Sequence, residues 1–228
     1  MATKARSKIT SFVSQNPAVL LLNITALLTF AKLLDDVVEK ELVYDIDTWI
    51  NHMTAAIRTP FTNAIILKIN ELMTPIFILL TLTTLAYLIN RKKLRETTIL
   101  TLSLSCGYAS EYAIKPLIHR VRPENALLPN ADYSFPSGHA TLSIIIFAFI
   151  VYAFKDEIKS ELKRYAFILA NIAGITAVGF ERVYLSVHWT SDVAAGYALG
   201  IFWLTTMVLA LNYTTAKKKR HRFLTEAT

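Results

Sequence analysis

The chain has 228 residues, of which 54% are hydrophobic and only 18% are charged, and its mean hydropathy is +0.41. These values exclude an ordinary water-soluble domain and are typical of a protein built from membrane-spanning helices. The net charge of +7 does not indicate nucleic acid, because the basic residues form clusters between apolar segments and no continuous binding face.

Six apolar segments are long enough, together with their flanking residues, to cross a bilayer. A bilayer core about 30 Å thick requires roughly 20 helical residues, and fewer where flanking polar side chains reach the interface. The segments cover about residues 14–34, 73–90, 97–115, 139–154, 165–182 and 192–213. We therefore predict an all-α fold, an integral membrane six-transmembrane-helix bundle that forms one domain over residues 1–228. The single cysteine, Cys106, lies in the third segment, so no intrachain disulfide forms.

The first apolar segment follows three basic residues, Lys4, Arg6 and Lys8, as the apolar part of a secretory signal peptide does. No cleavage site of the A-x-A type follows it. We therefore expect a retained first helix that acts as an uncleaved signal anchor.

The distribution of basic residues predicts the orientation in the membrane. Basic clusters follow the second, fourth and sixth segments, and the N-terminus is basic as well. The clusters are Arg91, Lys92, Lys93 and Arg95; Lys155, Lys159, Lys163 and Arg164; and Lys217, Lys218, Lys219, Arg220 and Arg222. By the positive-inside rule both termini are cytoplasmic in the cell (inner) membrane, and the opposite ends of the helices face the periplasm or cell exterior.

The loop over residues 35–72 separates the first two segments and contains two helix-like runs. In the first run Val43, Ile46, Ile50, Met53 and Ile57 recur at near-helical spacing, and Pro60 ends it. A largely apolar run over residues 61–72 follows. We expect amphipathic helices in this first outer loop, at the interface or over the bundle. A substrate-gating role and a purely structural cover are both open interpretations.

A histidine and a carboxylate stand four residues apart near the start of the last segment. If a helix begins at His188, Asp192 shares its face and can accept the Nδ1 proton, which leaves Nε2 free as a nucleophile. Arg182 precedes His188 by six residues and can reach the same place across a short loop. The alternative is that Asp192 is a helix-start carboxylate favoured by the helix dipole and that His188 is an interface residue.

The tetrapeptide Pro136-Ser137-Gly138-His139 opens the fourth segment. Pro136 and Gly138 shape a turn, and Ser137 is a suitable N-cap residue. The first amides of a helix have no intrahelical acceptors and favour an anion such as phosphate. His139 then projects from the first turn as a possible general acid, or else it is a histidine at the headgroup level.

The third segment ends in a group of basic residues that includes Lys115 and Arg122, the latter followed by Pro123. Arg122 offers a planar fork for two phosphate oxygens, and Lys115 offers a compact charge. His119 and Arg120 between them are further headgroup contacts in this interpretation. Basic residues at helix ends also contact lipid phosphates without any catalytic role. The common side of all three stretches favours one active site.

These three stretches resemble the signature of the type-2 phosphatidic acid phosphatase superfamily, membrane lipid phosphatases related to vanadium haloperoxidases. The family pattern is Lys-(six)-Arg-Pro, Pro-Ser-Gly-His and Ser-Arg-(five)-His-(three)-Asp, and the match spans residues 115–192. One position departs from the pattern, because Glu181 stands where the family often has Ser. A carboxylate there repels phosphate unless it points away or pairs with a cation.

The resemblance implies a role for each matching residue. His188 attacks phosphorus and forms a phosphohistidine, Asp192 orients His188, and His139 protonates the leaving group and then activates water. The residues that hold the phosphate oxygens are Lys115, Arg122 and Arg182, with Ser137 and the backbone around Gly138. The family needs no metal ion, so the resemblance implies neither a metal nor another cofactor.

The leading hypothesis is an integral membrane lipid phosphatase that releases phosphate from a phosphorylated lipid. Plausible substrates are a polyprenyl diphosphate, phosphatidylglycerophosphate, phosphatidic acid and lipid A. One alternative is a lipid phosphotransferase of the same fold, and another is a non-catalytic protein that binds or flips lipid headgroups. The expected partners are the substrate and the bilayer, with no nucleic acid and no obligatory protein partner.

Overall fold

The structure, a computed structural model, describes residues 16–40, 42–129 and 132–225. Residues outside this part include Lys4, Arg6, Lys8 and the first two residues of the predicted segment 14–34. The side chains of the basic cluster in 217–222 also lie outside it. The membrane orientation inferred from these residues therefore stays a prediction.

The described residues form seven α-helices, which confirms the all-α prediction for that part of the chain. The helices are α1 (Pro17–Glu39), α2 (Leu42–Ala56), α3 (Pro60–Asn90), α4 (Leu94–Ile118), α5 (Gly138–Phe154), α6 (Glu161–Tyr184) and α7 (Thr190–Thr225). A 3₁₀ turn, Lys155–Glu157, follows α5.

Five helices in the described part of the chain are long and apolar enough to cross a membrane. They are α1, α3, α6, Gly138–Glu157, which contains α5, and Thr190–Thr214 within α7. The predicted third segment falls in α4, which has 25 residues but is less apolar, because hydroxyl side chains and Glu111 interrupt it. The count of six transmembrane helices therefore stays a prediction.

Residues 61–72 differ from the prediction, because they continue without a break into the second predicted segment as α3. A capping box starts this helix: the Thr59 hydroxyl accepts from the Thr62 N–H at 3.1 Å, and the Thr62 hydroxyl accepts from the Thr59 N–H at 3.0 Å. Pro75 lies inside α3 and removes one main-chain hydrogen bond. Helical structure persists on both sides of it, since a membrane-spanning backbone must satisfy its polar groups internally.

Helix α2 is amphipathic as predicted, but its polar face is the buried one. Its buried residues are Asp47, Asn51 and Thr54, while Ile46, Met53 and Ile57 are exposed. The helix packs against α6 and α7. Ile46, Met53 and Ile57 therefore face outward, as apolar side chains of a helix at a membrane interface do, whereas the polar side chains and Ile50 contact the bundle.

Helix α5 is the centre of the bundle and contacts α4, α6 and α7. Helix α7 approaches it closely at two glycines four residues apart. A Cβ atom at Gly196 would lie 2.5 Å from the Ser137 carbonyl oxygen, and one at Gly200 would lie 2.7 Å from that of Thr141. Small residues at this spacing let two membrane helices pack backbone to backbone. The contact places the start of α7 directly against the start of α5.

The three sequence stretches meet at one end of the bundle. Lys115 lies near the end of α4, and Gly138 begins α5. Arg182 is in the last turn of α6, and Asp192 is in the first turn of α7. The basic loops after α3 and α5 meet at the other end. There the Lys93 ammonium lies 2.5 Å from the Glu157 carboxylate. The motif residues and these basic loops therefore occupy opposite ends.

Candidate active site

Two of the predicted phosphate-binding cations, Lys115 and Arg122, share one carboxylate. Asp132 lies 2.6 Å from the Lys115 ammonium and 2.6 Å from Nη2 of Arg122. Lys115 also pairs with Glu111 at 2.9 Å, one helical turn earlier. Burial opposes ionisation of Asp132, but the hydrogen bonds from Lys115 and Arg122 outweigh it and lower the pKa of Asp132 to about 2. Asp132 was not predicted as a site residue, because its only signal in the sequence is its place between the first two stretches.

Arg182, the third predicted cation, is buried and pairs with its neighbour Glu181. The Nε and Nη2 atoms of Arg182 both donate to the Glu181 carboxylate, and Nη2 also donates to the side-chain oxygen of Asn70 on α3. Glu181 therefore forms an ion pair at the position where the family often has Ser. In a bidentate pair of this kind the carboxylate faces the guanidinium, whose positive charge offsets the repulsion between Glu181 and a bound anion.

The turn before α5 places Ser137 and Gly138 as predicted at the helix start, but the Ser137 side chain makes no cap hydrogen bond. Its Oγ is buried and has no hydrogen-bond partner within the described residues, while its N–H donates to the Asp192 carbonyl at 3.0 Å. A Cβ at Gly138 would lie 2.8–2.9 Å from the Glu111 carboxyl group. The absence of a side chain at Gly138 therefore brings Glu111, and with it Lys115, close to the turn.

His139 follows this turn and connects the three stretches electrostatically. The titratable groups that interact with it electrostatically are Arg182, His188, Lys115 and Arg122. Its Nε2 lies 3.5 Å from the Thr74 hydroxyl on α3, and its ring lies 6.1 Å from that of Phe77. Thr74 was not predicted as a site residue, because a lone threonine in an apolar helix carries no signal of its own.

His188 lies in the short loop between α6 and α7 and is buried. Its Nδ1 is 2.8 Å from the Ser134 carbonyl oxygen and 3.6 Å from Oδ2 of Asp192. Both neighbours are acceptors, so the ring proton belongs on Nδ1 and Nε2 has the free electron pair. Nη1 of Arg122 lies 3.4 Å from Nε2. The Ser134 carbonyl is thus the closer acceptor, a backbone group that side-chain spacing does not reveal.

Burial lowers the pKa of His188, and Asp192 raises it. Arg122 and Lys115 lower the pKa further, so the pKa of His188 lies below the ordinary imidazole value. The imidazole is therefore neutral at neutral pH. A neutral imidazole is the form that can attack phosphorus.

Asp192 belongs to a buried network that the sequence analysis did not predict. Its Oδ1 accepts from Nη1 of Arg120, and Nη2 of Arg120 donates to Asp47 at 2.6 Å. Asp47 accepts from the Ser191 N–H at 2.8 Å. Arg120 is thus committed to two carboxylates and is not the headgroup contact that its position suggested. The signal for Asp47 is its spacing from Val43 and Ile50, which places a carboxylate on the buried face of α2.

A cavity of about 840 Å³ adjoins the site on the side of α2, and Arg120, Arg122 and Trp189 line part of it. Contacts join the three stretches: Nη1 of Arg122 lies 3.4 Å from Nε2 of His188, and the Ser137 N–H donates to the Asp192 carbonyl. Each predicted site residue lies at this end of the bundle. Their catalytic roles stay predictions.

Comparison with known proteins places this geometry in a family. The family model described as the PAP2 superfamily matches residues 96–216. Phosphatidylglycerophosphatase B from Bacillus subtilis (strain 168) is 28% identical over 180 residues, which cover 77% of this chain and 88% of that protein. Undecaprenyl-diphosphatase from Sulfolobus acidocaldarius is 31% identical over 126 residues, which cover 54% of this chain and 56% of the relative.

A solved structure shows the same fold. The crystal structure of a transmembrane PAP2-type phosphatidylglycerolphosphate phosphatase from Bacillus subtilis aligns with a TM-score of 0.70 at 24% identity. The alignment covers 84% of this chain and 96% of that one. The alignment shows that this chain has the same helical fold. Together with the five long apolar helices of its described residues, this makes it a multi-pass membrane protein.

The family assignment follows from the matched residues, which include all three stretches. The chain belongs to the PAP2 superfamily. It is a phosphoric ester hydrolase.

Proposed function

We propose that this protein hydrolyses a phosphomonoester or diphosphate of a lipid through a phosphohistidine formed on His188. The observation that supports the proposal most directly is the setting of the His188 ring. Its Nδ1 faces two acceptors, Ser134 and Asp192, and its Nε2 faces Arg122. An imidazole in this tautomer presents a free electron pair beside a cation that can hold the phosphate.

The proposed reaction has two half-steps. In the first, Nε2 of His188 bonds to phosphorus while the bond from phosphorus to the leaving oxygen breaks, and His139 donates a proton to that oxygen. In the second, His139 takes a proton from water, the water oxygen bonds to phosphorus, and the bond to Nε2 breaks. The enzyme then regains its starting state.

In this proposal positively charged side chains, without a metal ion, bind the negatively charged phosphate oxygens. Lys115, Arg122 and Arg182 supply the cations. The buried Oγ of Ser137, which has no hydrogen-bond partner in the part of the chain that the structure describes, supplies a hydroxyl donor. The phosphate replaces Asp132 on Lys115 and Arg122, since both groups are anions that suit the same donors.

An apolar groove supports a lipid as the leaving group. A cavity of about 420 Å³ lies between α3, α4 and α5, and its walls include Phe77, Leu104, Leu142 and Ile146. The ring of Phe77 lies beside that of His139, the proposed proton donor. An acyl or prenyl chain in this groove places its phosphate ester oxygen near His139. The candidate substrates are a polyprenyl diphosphate, phosphatidylglycerophosphate, phosphatidic acid and lipid A.

The test is phosphate release from these four lipids by the purified protein in detergent micelles, with and without chelator and vanadate. We expect the wild type to release phosphate from at least one lipid in the presence of chelator, and His188→Ala to release none. His52→Ala, an exposed histidine on α2, is the control and retains activity. Turnover by His188→Ala would overturn the mechanism, and a wild type inactive on every lipid would overturn the function.

Two further measurements separate the remaining alternatives. Radiolabelled phosphate donor should yield an acid-labile, base-stable phosphoenzyme in the wild type and none in His188→Ala. Product analysis then distinguishes a hydrolase, which gives inorganic phosphate, from a phosphotransferase, which gives a second phosphorylated lipid. A protein that only binds headgroups gives neither product.

The proposed location is the cell (inner) membrane, with both termini cytoplasmic and the site on the periplasmic or extracellular side. The opposite placement of the motif residues and the basic loops supports this orientation. In a Cys106→Ser background, a membrane-impermeant maleimide should label Glu124→Cys in intact spheroplasts and should not label Lys92→Cys. The reverse labelling pattern would contradict the proposed orientation.

A further inference from the structure

Helix α2 supplies a buried carboxylate to the network behind the proposed nucleophile. Asp47 is 1% exposed, and its carboxylate accepts from Nη2 of Arg120 at 2.6 Å and from the Ser191 N–H at 2.8 Å. The Ser191 hydroxyl also donates to it. Arg120 therefore spans two carboxylates, Asp47 on one side and Asp192 on the other.

The same helix is tied to the loop that precedes His188. The side-chain amide of Asn51 donates to the Ser186 hydroxyl at 2.7 Å, and Nε of Arg58, just beyond the helix, donates to the Tyr184 carbonyl at 3.0 Å. Ser186 has a φ of 52°, a left-handed conformation that is uncommon for a residue other than glycine. Contacts from α2 and Arg58 support that conformation two residues before the nucleophile.

The formal charges of this network leave one negative charge beside His188. Asp47 and Asp192 are anionic and Arg120 is cationic, so Arg120 neutralises one of the two carboxylates. In the first half-step Nε2 acquires a bond to phosphorus while Nδ1 keeps its proton, so the ring becomes positively charged. The remaining negative charge of the network stabilises that ring.

We propose that Asp47 is a positioning residue for the nucleophile, which keeps the charge of Asp192 available to His188 by sharing Arg120. This inference rests on the proposed function. Without Asp47, Arg120 pairs with Asp192 alone and the network becomes neutral. Asp47 acts through Arg120 and Asp192 and does not touch the substrate.

The test is a double-mutant cycle on kcat and KM with Asp47→Asn, Arg120→Gln and the double variant. Asp47→Asn makes the network neutral, Arg120→Gln gives it two negative charges, and the double variant restores one. We expect Asp47→Asn to lower kcat by about 10- to 100-fold with KM unchanged, the loss seen when a carboxylate that orients a metal-bound histidine is removed. Arg120→Gln should also lower kcat with KM unchanged, because two buried carboxylates without a cation cannot both stay ionised and Asp192 loses the donor that holds it. The double variant should be more active than either single variant.

The matched control is Asp45→Asn, which removes an exposed carboxylate from the same helix and leaves kcat unchanged. Circular dichroism and size-exclusion chromatography establish that each variant is folded. If Asp47→Asn gives no folded protein, the comparison of the double variant with Arg120→Gln decides, since the proposal requires the double variant to be faster.

The outcomes separate this inference from the proposed function. An inactive wild type overturns the function itself. An active wild type whose two single losses simply add in the double variant overturns the role of Asp47, as does a change in KM without a change in kcat. A double variant faster than both single variants, when circular dichroism and size-exclusion chromatography show all three equally folded, supports charge balance. A merely structural role of Asp47 would instead change the folded fraction of the single variants.

Discussion

The Nδ1 atom of His188 lies 2.8 Å from the Ser134 carbonyl oxygen, closer than the 3.6 Å to the Asp192 carboxylate. A backbone carbonyl cannot be protonated or removed by substitution, so it holds the tautomer of the ring by itself. Asp192 then contributes mainly its charge. Beside many catalytic histidines one carboxylate both fixes the tautomer and supplies a negative charge. Here the Ser134 carbonyl fixes the tautomer, and Asp192 supplies the charge.

Asp192→Asn should therefore slow the enzyme without abolishing it. Ser134 still accepts the Nδ1 proton, while the charge that stabilises the phosphorylated ring is lost. We expect kcat to fall by about 10- to 100-fold and KM to stay unchanged in steady-state phosphate release. Asp156→Asn, an exposed carboxylate at the other end of the bundle, serves as the control. A complete loss, equal to that of His188→Ala, would mean that Asp192 sets the tautomer.

The pH dependence of kcat/KM should report His188. Protonated His188 cannot attack, so activity is lost as the pH falls through the pKa of His188, which lies below the ordinary value. Arg122 is one of the groups that lower this pKa, so Arg122→Gln should move the acid limb to higher pH, besides reducing the overall rate. Arg91→Gln, at the other end of the bundle, should leave the limb in place. A shift to lower pH in Arg122→Gln would contradict this assignment.

Ser137→Ala should weaken substrate binding without a loss of stability. The Ser137 hydroxyl is buried and has no hydrogen-bond partner within the described residues, so the folded protein loses no bond there. If the hydroxyl contacts phosphate, KM and the vanadate inhibition constant should rise by about 10-fold, the value of one hydrogen bond to a charged group. Melting temperature and inhibition are measured together. Ser103→Ala removes another such hydroxyl, on α4, and should alter neither quantity.

Asp132→Asn should strengthen the binding of anions. Asp132 pairs with both Lys115 and Arg122, so substrate phosphate must compete with it. Removal of its charge should lower KM and the inhibition constant of inorganic phosphate by about 10-fold, because two ion pairs become hydrogen bonds from the cations to a neutral amide. Glu124→Gln makes the same charge change at an exposed position of the same loop. A rise in KM would show that Asp132 positions the two cations and does not compete with phosphate.

Much of the site was predictable from local spacing. Three short stretches named Lys115, Arg122, His139, His188 and Asp192 as candidates, and the structure places them all at one end of the bundle, because each stretch keeps its residues within one loop and the adjoining helix end. Positions that depend on a distant helix were not predictable in this way. Asp47 lies far from Arg120 in the chain, and Ser134 acts through its carbonyl oxygen, which is the same in every residue type.

The fold likewise has features that were predictable from the sequence and features that were not. Apolar segments revealed most of the long helices, because a membrane requires long apolar runs whatever their neighbours are. The continuity of α3 through residues 61–72 and the inward polar face of α2 were not evident. Pro60 and Pro75 are equally strong breaks by sequence, and only the first one starts a helix. Hydrophobic periodicity finds the apolar face of α2 but does not tell whether lipid or protein covers it.

The sequence by itself therefore determined the chemistry of this protein: a membrane helix bundle with histidines, a carboxylate and cations in the PAP2 pattern. Those properties depend on residue type and on spacing within a few turns. Tertiary structure alone decided how the charges are paired: Asp132 on Lys115 and Arg122, Glu181 on Arg182, and Asp47 on Arg120. Pairing depends on distances between side chains of different helices, and electrostatic energy falls with distance in space whatever the separation along the chain.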